Sequence, residues 1–173
     1  YEIPLRLVGS EMCIRDRHYT VFGGNMNILI RKALDYDCPE ILNIENVCFS
    51  DPWSEDYFLR ELRNPLCTIL AAFDGDTAAA FINVWYVAGE LTINNIAVIE
   101  SYRRRGIAER LINAAFTLYP QAELALLEVR ASNTAAQKLY KKLDFIQTGI
   151  RKSYYSDPTE DALLMTKTLG GKQ

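Results

Sequence analysis

Three consecutive strand-like runs near the middle of the chain constrain its fold more than any other feature. They cover residues 68–73, 79–87 and 91–98 and are rich in β-branched and aromatic side chains. A "DGD" turn separates the first two runs, and "AGE" separates the last two. Glycine in such short connections favours tight reversals of the chain, so the pattern predicts an antiparallel meander.

Helix and strand signals flank the meander on both sides. Before it, the pattern predicts a strand at residues 28–33, a helix that begins near Asp37 and a second helix capped by Ser54. After it we expect a helix following "SYRRRG", a strand at 122–129, a helix capped by Ser132 or Asn133, and strands at 145–155 and 162–169. The order β-α-α-β-β-β-α-β-α-β-β predicts a single α/β (α+β) domain with a mixed, mainly antiparallel sheet flanked by helices.

Size and charge restrict the classes of function. The chain has 173 residues, a formal net charge of −3 and a pI of about 5.3. One domain of this size can bury a sizeable core, and its acidic balance argues against nucleic-acid binding. The longest apolar run, residues 78–88, contains Asn83 and is too short to span a bilayer, so no membrane partner is expected.

The first 25 residues do not resemble the start of a folded domain. The chain begins with tyrosine, and this segment has neither a strand period, a helix period nor the apolar core of a signal peptide. We interpret residues 1–25 as a leader foreign to the native protein. The domain is then residues 26–173, beginning at Met26.

Cysteine and histidine usage narrows the chemistry. The four cysteines include no CxxC pair, and a chain of this length needs no disulfides, so reduced thiols and a cytoplasmic location are expected. His18 is the only histidine, which excludes Ser-His-Asp and Cys-His catalysis and most zinc sites, and no metal is expected. The sequence leaves the oligomeric state open, with a monomer as the expectation.

The stretch "SYRRRGIAERL", residues 101–111, gathers positive charge where a helix is predicted to begin. Unpaired N–H groups in a first helical turn attract anions, Gly106 lets a ligand approach the backbone, and three arginines add charge. A pyrophosphate suits such a site. A solvated charge run that only caps a helix is an equal alternative, and neither GxGxxG nor a Walker loop is present.

The motifs around this stretch resemble the GNAT acyltransferase superfamily. They are "NNIAV" at residues 94–98, R-x-x-G-x-A at 103–108 and "LLEVRASNTAAQKLY" at 126–140. Within the superfamily, "LEVRASN", "KLYKKLDF", "KSYY", "EDALLM" and "FSDPWSE" resemble the RimI group, the bacterial N-terminal alanine acetyltransferases of ribosomal protein. The resemblance covers residues 27–169, and the predicted element order matches that fold.

The resemblance implies acetyl-CoA as the acetyl donor. Its pyrophosphate would lie on the backbone at the predicted helix start, and its pantetheine arm would pair with the third meander strand. The N–H of Val98 would then face the thioester carbonyl. The implied cofactor-binding residues are Ile96, Ala97, Val98, Arg103, Arg104, Arg105, Gly106, Ile107, Ala108, Glu109 and Asn133.

The resemblance also implies two proton-transfer residues and a peptide site. Glu128 corresponds to the general base, acting through water. Tyr140 corresponds to the general acid, because a phenol with a pKa of about 10 keeps its proton at neutral pH. Read without the resemblance, Glu128 is a solvated strand-end acid and Tyr140 a core residue. The implied peptide-binding residues are Phe49, Pro52, Trp53, Tyr154 and Tyr155, with Glu160 and Asp161 nearby to attract a basic peptide.

Proton availability indicates which amine accepts the acetyl group. At pH 7 an α-amine is neutral in about one molecule in ten, and a lysine amine in roughly one in a few thousand. One carboxylate without a histidine suits the α-amine. The resemblance to the RimI group implies the substrate more narrowly, as the N-terminal alanine of the eighteenth small-subunit ribosomal protein. The alternatives are a GNAT acting on a polyamine or antibiotic, and a non-catalytic CoA-binding sensor.

Two positions depart from the family pattern. Asp144 replaces the usual glycine of the "GF" turn, where a positive φ would strain a side chain. Glu109 stands where arginine is usual; its charge suits a first helical turn but repels phosphate.

Overall fold

An eight-stranded sheet frames the part of the chain that the computed structural model describes, residues 19–20 and 28–170. The strands are β1 (Tyr19–Thr20), β2 (Ile28–Lys32), β3 (Cys67–Asp74), β4 (Thr77–Val87), β5 (Glu90–Val98), β6 (Leu124–Arg130), β7 (Ile146–Ser156) and β8 (Thr159–Thr168). They lie in the order β1-β2-β3-β4-β5-β6-β8-β7, and only β5 and β6 are parallel neighbours. The predicted fold class and the meander, β3-β4-β5, are confirmed.

Within residues 28–170, four α-helices cover the sheet: α1 (Cys38–Cys48), α2 (Glu55–Arg63), α3 (Ile107–Leu118) and α4 (Thr134–Lys142). The side chain of Ser54 caps α2 by accepting the N–H of Tyr57 at 3.3 Å, as predicted. Asn133 caps α4 by accepting the N–H of Ala136 at 3.1 Å. Within the described residues, no helix is both long and apolar enough to cross a membrane.

The strand period of two divides the core between the faces of the sheet. Leu70 and Ala72 of β3 pack on the side of α3, whereas Ile69 and Ala71 pack on the side of α1 and α2. Fully burying an apolar side chain contributes roughly 1.5–3 kcal/mol, so both helix layers are firmly attached. The meander is therefore a rigid platform between them.

The segment interpreted as a leader, residues 1–25, is described only at Tyr19 and Thr20. These two residues form β1 and pair with Ile30 and Leu29 of β2. The rest of that segment and Met26 lie outside the described residues. The leader and the domain boundary at residue 26 therefore stay predictions.

The parallel pair β5–β6 separates partway along its length. Pairing begins with Glu90 opposite Leu124 and ends with Ile93 opposite Leu127. Both strands continue beyond this point, β5 to Val98 and β6 to Arg130. The second half of β5 is consequently unpaired on the side of β6, and this opening positions the site.

Candidate active site

A cleft of about 940 Å³ occupies the opening between β5 and β6. The loop at residues 49–54 and the hairpin of β7 and β8 supply its other walls. Eight predicted site residues line it: Phe49, Trp53, Ile96, Glu128, Asn133, Tyr140, Tyr154 and Tyr155. Pro52, Ala97, Val98 and residues 103–109 are not among the described residues that line it.

A β-bulge in β5 marks the point where the two strands separate. Asn83 of β4 pairs with Asn95 and Val84 pairs with Ile93, so Asn94 is an extra residue in β5. A bulge bends its strand and increases the local twist. Both asparagines of β5 are anchored, since Asn94 donates to the side chain of Asn83 at 3.1 Å and Asn95 donates to a carboxyl group of α1.

Alternation along β5 determines which backbone groups face the opening. Ile99 donates its N–H to the carbonyl of Ala79 in β4 at 3.0 Å. Because N–H groups alternate in direction along a strand, Val98 turns its N–H away from β4, toward the opening. Ile96 shares the direction of Val98, whereas the N–H of Ala97 points toward β4.

Glu128 lies in a small polar cluster on the cleft wall. Its carboxylate is 2.8 Å from the guanidinium of Arg151. The phenol of Tyr154 lies close to Glu128, and the acidic neighbour, with burial, raises the pKa of Tyr154. Sequence reasoning missed Arg151, because only the register of β7 on β8 and of β8 on β6 brings it beside Glu128.

Tyr140 is almost fully buried and yet reaches the cleft. It is 5% exposed, and its ring meets that of Phe145 edge-on at 5.8 Å. Burial raises the pKa of its phenol. Among the described residues its hydroxyl has no hydrogen-bond partner, so its proton is available on the cleft side.

The turn before α3 has the backbone of an anion site. Arg104 and Gly106 adopt the left-handed conformation, with φ of 64° and 76°. The first main-chain bond of the helix runs from the N–H of Arg110 to the carbonyl of Gly106, at 3.0 Å. The N–H groups of residues 107–109 therefore have no carbonyl acceptor within the helix.

The arginine side chains of this turn contact its neighbours. Arg103 donates from Nε to the carbonyl of Val98 at 3.0 Å, which links the turn to the end of β5. Arg105 lies 5.2 Å from the ring of Tyr102. The turn is thus held beside the strand whose edge faces the opening.

Both departures from the family pattern have a structural account. Asp144 has a φ of 64°, so the turn does need the left-handed conformation, which aspartate tolerates better than most residues. Glu109 is paired with Lys142 of α4 at 2.6 Å. The lysine offsets the acid's charge, which reduces its repulsion of phosphate.

The predicted peptide residues lie on both sides of the cleft mouth. Trp53 packs against Tyr57, with ring centroids 4.4 Å apart. Tyr154 and Tyr155 meet edge-on at 5.1 Å. Ser50 donates its hydroxyl to the carbonyl of Asp157 at 3.4 Å, which connects the loop to the β7–β8 hairpin.

The two acids expected to attract a basic peptide are already paired. Glu160 bonds to Arg130 at 3.4 Å and to the N–H of Ser132. Asp161 bonds to Lys152 at 2.7 Å. The negative charges of both acids are therefore balanced by basic residues of the same chain. Among the described residues, the exposed carboxylates that line the cleft are instead Asp51 and Asp157.

Glu45 of α1 also lines the cleft, and sequence reasoning did not assign it to the site. It is 1% exposed and accepts the N–H of Trp53 at 3.1 Å and the side-chain amide of Asn95 at 2.9 Å. Burial raises its pKa to about 7. The sequence signal that could have identified Glu45 is an acidic residue on the otherwise apolar face of a predicted helix.

The fold and the site define a group-transfer enzyme with a split sheet. A carboxylate and an unpartnered phenol share its cleft, and a helix start suited to anions lies at the end of the open strand. The chain belongs to the acetyltransferase (GNAT) family, whose model matches residues 38–145. The predicted enzyme class is confirmed.

Individual relatives extend the similarity over most of the chain. A Bacillus subtilis (strain 168) protein, named provisionally as a ribosomal protein bS18-alanine N-acetyltransferase, is 38% identical over 136 residues, which is 77% of this chain and 90% of the relative. The ribosomal protein bS18-alanine N-acetyltransferase of Escherichia coli (strain K12) is 35% identical over 133 residues, covering 75% and 89%. The crystal structure of the Escherichia coli ribosomal-protein-S18-alanine N-acetyltransferase has a TM-score of 0.78 at 31% identity, covering 84% and 96%. The predicted resemblance to the RimI group is confirmed.

Proposed function

We propose that this chain transfers the acetyl group of acetyl-CoA to the N-terminal α-amine of alanine in ribosomal protein bS18. The observation that carries the proposal is that Glu128 and Tyr140 line the same cleft, where β5 and β6 separate. The names of the relatives support the choice of substrate. Ribosomal proteins are made in the cytoplasm, so the proposal places the reaction there.

The residues around the opening fit acetyl-CoA, which supplies an activated acyl group as a thioester. The N–H groups of residues 107–109 and the charges of Arg103, Arg104 and Arg105 suit its pyrophosphate. A Cβ at Gly106 would meet no atom within 4 Å, so the space outside the turn is open to a ligand. Ile96 and Val98 offer an unpaired strand edge to the amide-rich arm.

Asn133 suits the same arm through its amide group. Its Oδ1 is used in capping α4, and its Nδ2 has no hydrogen-bond partner within residues 28–170. That leaves two N–H donors at the cleft wall. Asn133 therefore combines a structural bond with a binding role.

The chain's own groups divide the proton transfers between them. Glu128 takes, through water, the proton that the attacking amine must lose. Tyr140 donates a proton to the departing thiolate, because a phenol with an ordinary pKa of about 10 already holds its proton at neutral pH. The N–H of Val98 stabilises the developing oxyanion.

The proposed substrate is tested with a peptide copying the first residues of bS18, with thiol release measured as acetyl-CoA is consumed. Both this peptide and its control carry one added lysine at the C-terminal end, and the control has its α-amine already acetylated, so that only a lysine amine remains available in it. We expect turnover with the free peptide alone, since a larger fraction of α-amines is neutral at pH 7. Equal turnover of both peptides, or faster turnover of polyamines and aminoglycosides, would contradict the substrate. Stabilisation by acetyl-CoA without turnover of any amine would favour a sensor.

The Gly106→Ala variant is expected to bind acetyl-CoA about tenfold more weakly. A left-handed φ costs an L-residue roughly 1–2 kcal/mol, so the turn relaxes and its N–H groups move from their positions. Gly75→Ala is the matched control, since Gly75 has a φ of 60° and open space around it but lies in the β3–β4 turn. Calorimetry should find weaker binding in the first variant alone and similar melting temperatures in both. Unchanged affinity would contradict the assignment of this turn.

A further inference from the structure

Glu45 is a buried carboxyl group for which the proposed acetyl transfer has no role. It lies on α1 at 1% exposure, among apolar side chains that pack under the sheet. Burying such a group costs free energy unless its oxygens are hydrogen-bonded. The hydrogen-bond partners of Glu45 therefore indicate its structural role.

The two partners of Glu45 belong to different parts of the site. One oxygen accepts the main-chain N–H of Trp53, at 3.1 Å, in the loop of residues 49–54. Both oxygens accept from the side-chain amide of Asn95, at 2.9 and 3.1 Å, 50 residues along the chain. Asn95 directly follows the bulged residue of β5. One carboxyl group thus ties the predicted peptide-binding loop to the strand that opens the cleft.

We propose that Glu45 is a positioning residue that holds the loop of residues 49–54 in register with β5, and so sets the affinity for the peptide. The inference rests on the function proposed above. The loop carries Phe49 and Trp53, two predicted peptide contacts that line the cleft. Strand β5 carries the backbone edge that faces the opening. Holding the loop in place against β5 therefore sets the distance between the proposed peptide site and the proposed acetyl-CoA site.

Two substitutions distinguish a role for the hydrogen bonds of Glu45 from a role for its negative charge. Leucine at this position fills a similar volume on the apolar face of α1 but accepts no hydrogen bond. Glutamine keeps an oxygen for the N–H of Trp53, and its own amide can donate to the oxygen of Asn95 once that side chain turns over. Positioning therefore predicts that Glu45→Leu is impaired and that Glu45→Gln is close to wild type.

The test measures peptide kinetics and hydrogen exchange in the same variants. In Glu45→Leu we expect the KM for the alanine-starting peptide to rise about tenfold, with kcat and the KM for acetyl-CoA within twofold of wild type. Exchange of the Trp53 N–H should become about tenfold faster. Glu40→Leu is the matched control, because Glu40 of α1 also accepts a main-chain N–H, that of Ala78 at 2.6 Å, away from the loop.

Each outcome separates the possibilities. The proposal is overturned if Glu45→Leu leaves the peptide KM and the exchange of Trp53 unchanged, or if Glu45→Gln is as impaired as Glu45→Leu. It is also overturned if Glu40→Leu gives the same pattern, since the effect would then be general to the helix. If the wild-type chain turns over no peptide, the proposed function fails, and the exchange measurement alone still decides whether Glu45 holds the loop.

Discussion

Replacing Glu128 with glutamine is expected to lower kcat for the bS18 peptide by about 100-fold or more, while acetyl-CoA affinity stays the same. The amide has almost the shape of the carboxylate but takes no proton at neutral pH, and general-base catalysis contributes roughly 10²–10⁴-fold. The ion pair with Arg151 is lost, but the side chain of Arg151 is 54% exposed, so little stability is lost with the pair. Steady-state kinetics and calorimetry with acetyl-CoA measure the two effects.

A suitable control for this experiment removes an exposed ion pair elsewhere. Asp35 pairs with Arg63 at 3.2 Å, and both side chains are more than half exposed. Asp35→Asn should leave kcat and the melting temperature near their wild-type values. A kcat for Glu128→Gln within threefold of wild type would remove Glu128 from the proton transfer.

Replacing Tyr140 with phenylalanine is expected to lower kcat by roughly 100-fold without lowering stability. Its hydroxyl is the proposed proton donor, and among the described residues it has no hydrogen-bond partner. Because that hydroxyl reaches the cleft and bonds to no other described group, its removal should leave the melting temperature close to the wild-type value. The ring keeps its edge-on contact with Phe145.

The control for Tyr140 has the opposite expected signature. The hydroxyl of Tyr119 is 2.7 Å from that of Thr68 in β3, and neither residue lines the cleft. Tyr119→Phe removes this bond, which should cost about 1 kcal/mol of unfolding free energy and leave kcat unchanged. Loss of stability in Tyr140→Phe, with activity retained, would assign that tyrosine to the core instead.

The local elements were predictable because their signals are local. Alternating apolar residues, turn glycines and the cap at Ser54 act over a few positions, so they indicated the strands, the helices and their order. The arginine stretch indicated an anion site for the same reason, because a helix start and its glycine are adjacent in sequence. The roles of Glu128 and Tyr140 came from motif resemblance, and they stay predictions.

The contacts around those residues were not predictable from short patterns. Arg151 reaches Glu128 only through the register of three strands. Glu160 and Asp161 looked available to a peptide, but Arg130 and Lys152 use their charges. The bulge at Asn94 depends on how β5 pairs with β4, which periodicity within β5 does not specify.

The sequence by itself determined the elements, their order and the family, and it indicated an anion site at the start of α3, since each depends on residues close together in the chain. Only the tertiary structure decided that β5 and β6 separate after Ile93, and that Glu45 joins a loop to a strand 50 residues away. Such contacts depend on strand register and helix packing, which form between distant segments. Burial then changes the chemistry of the groups brought together, as the raised pKa of Glu45 illustrates.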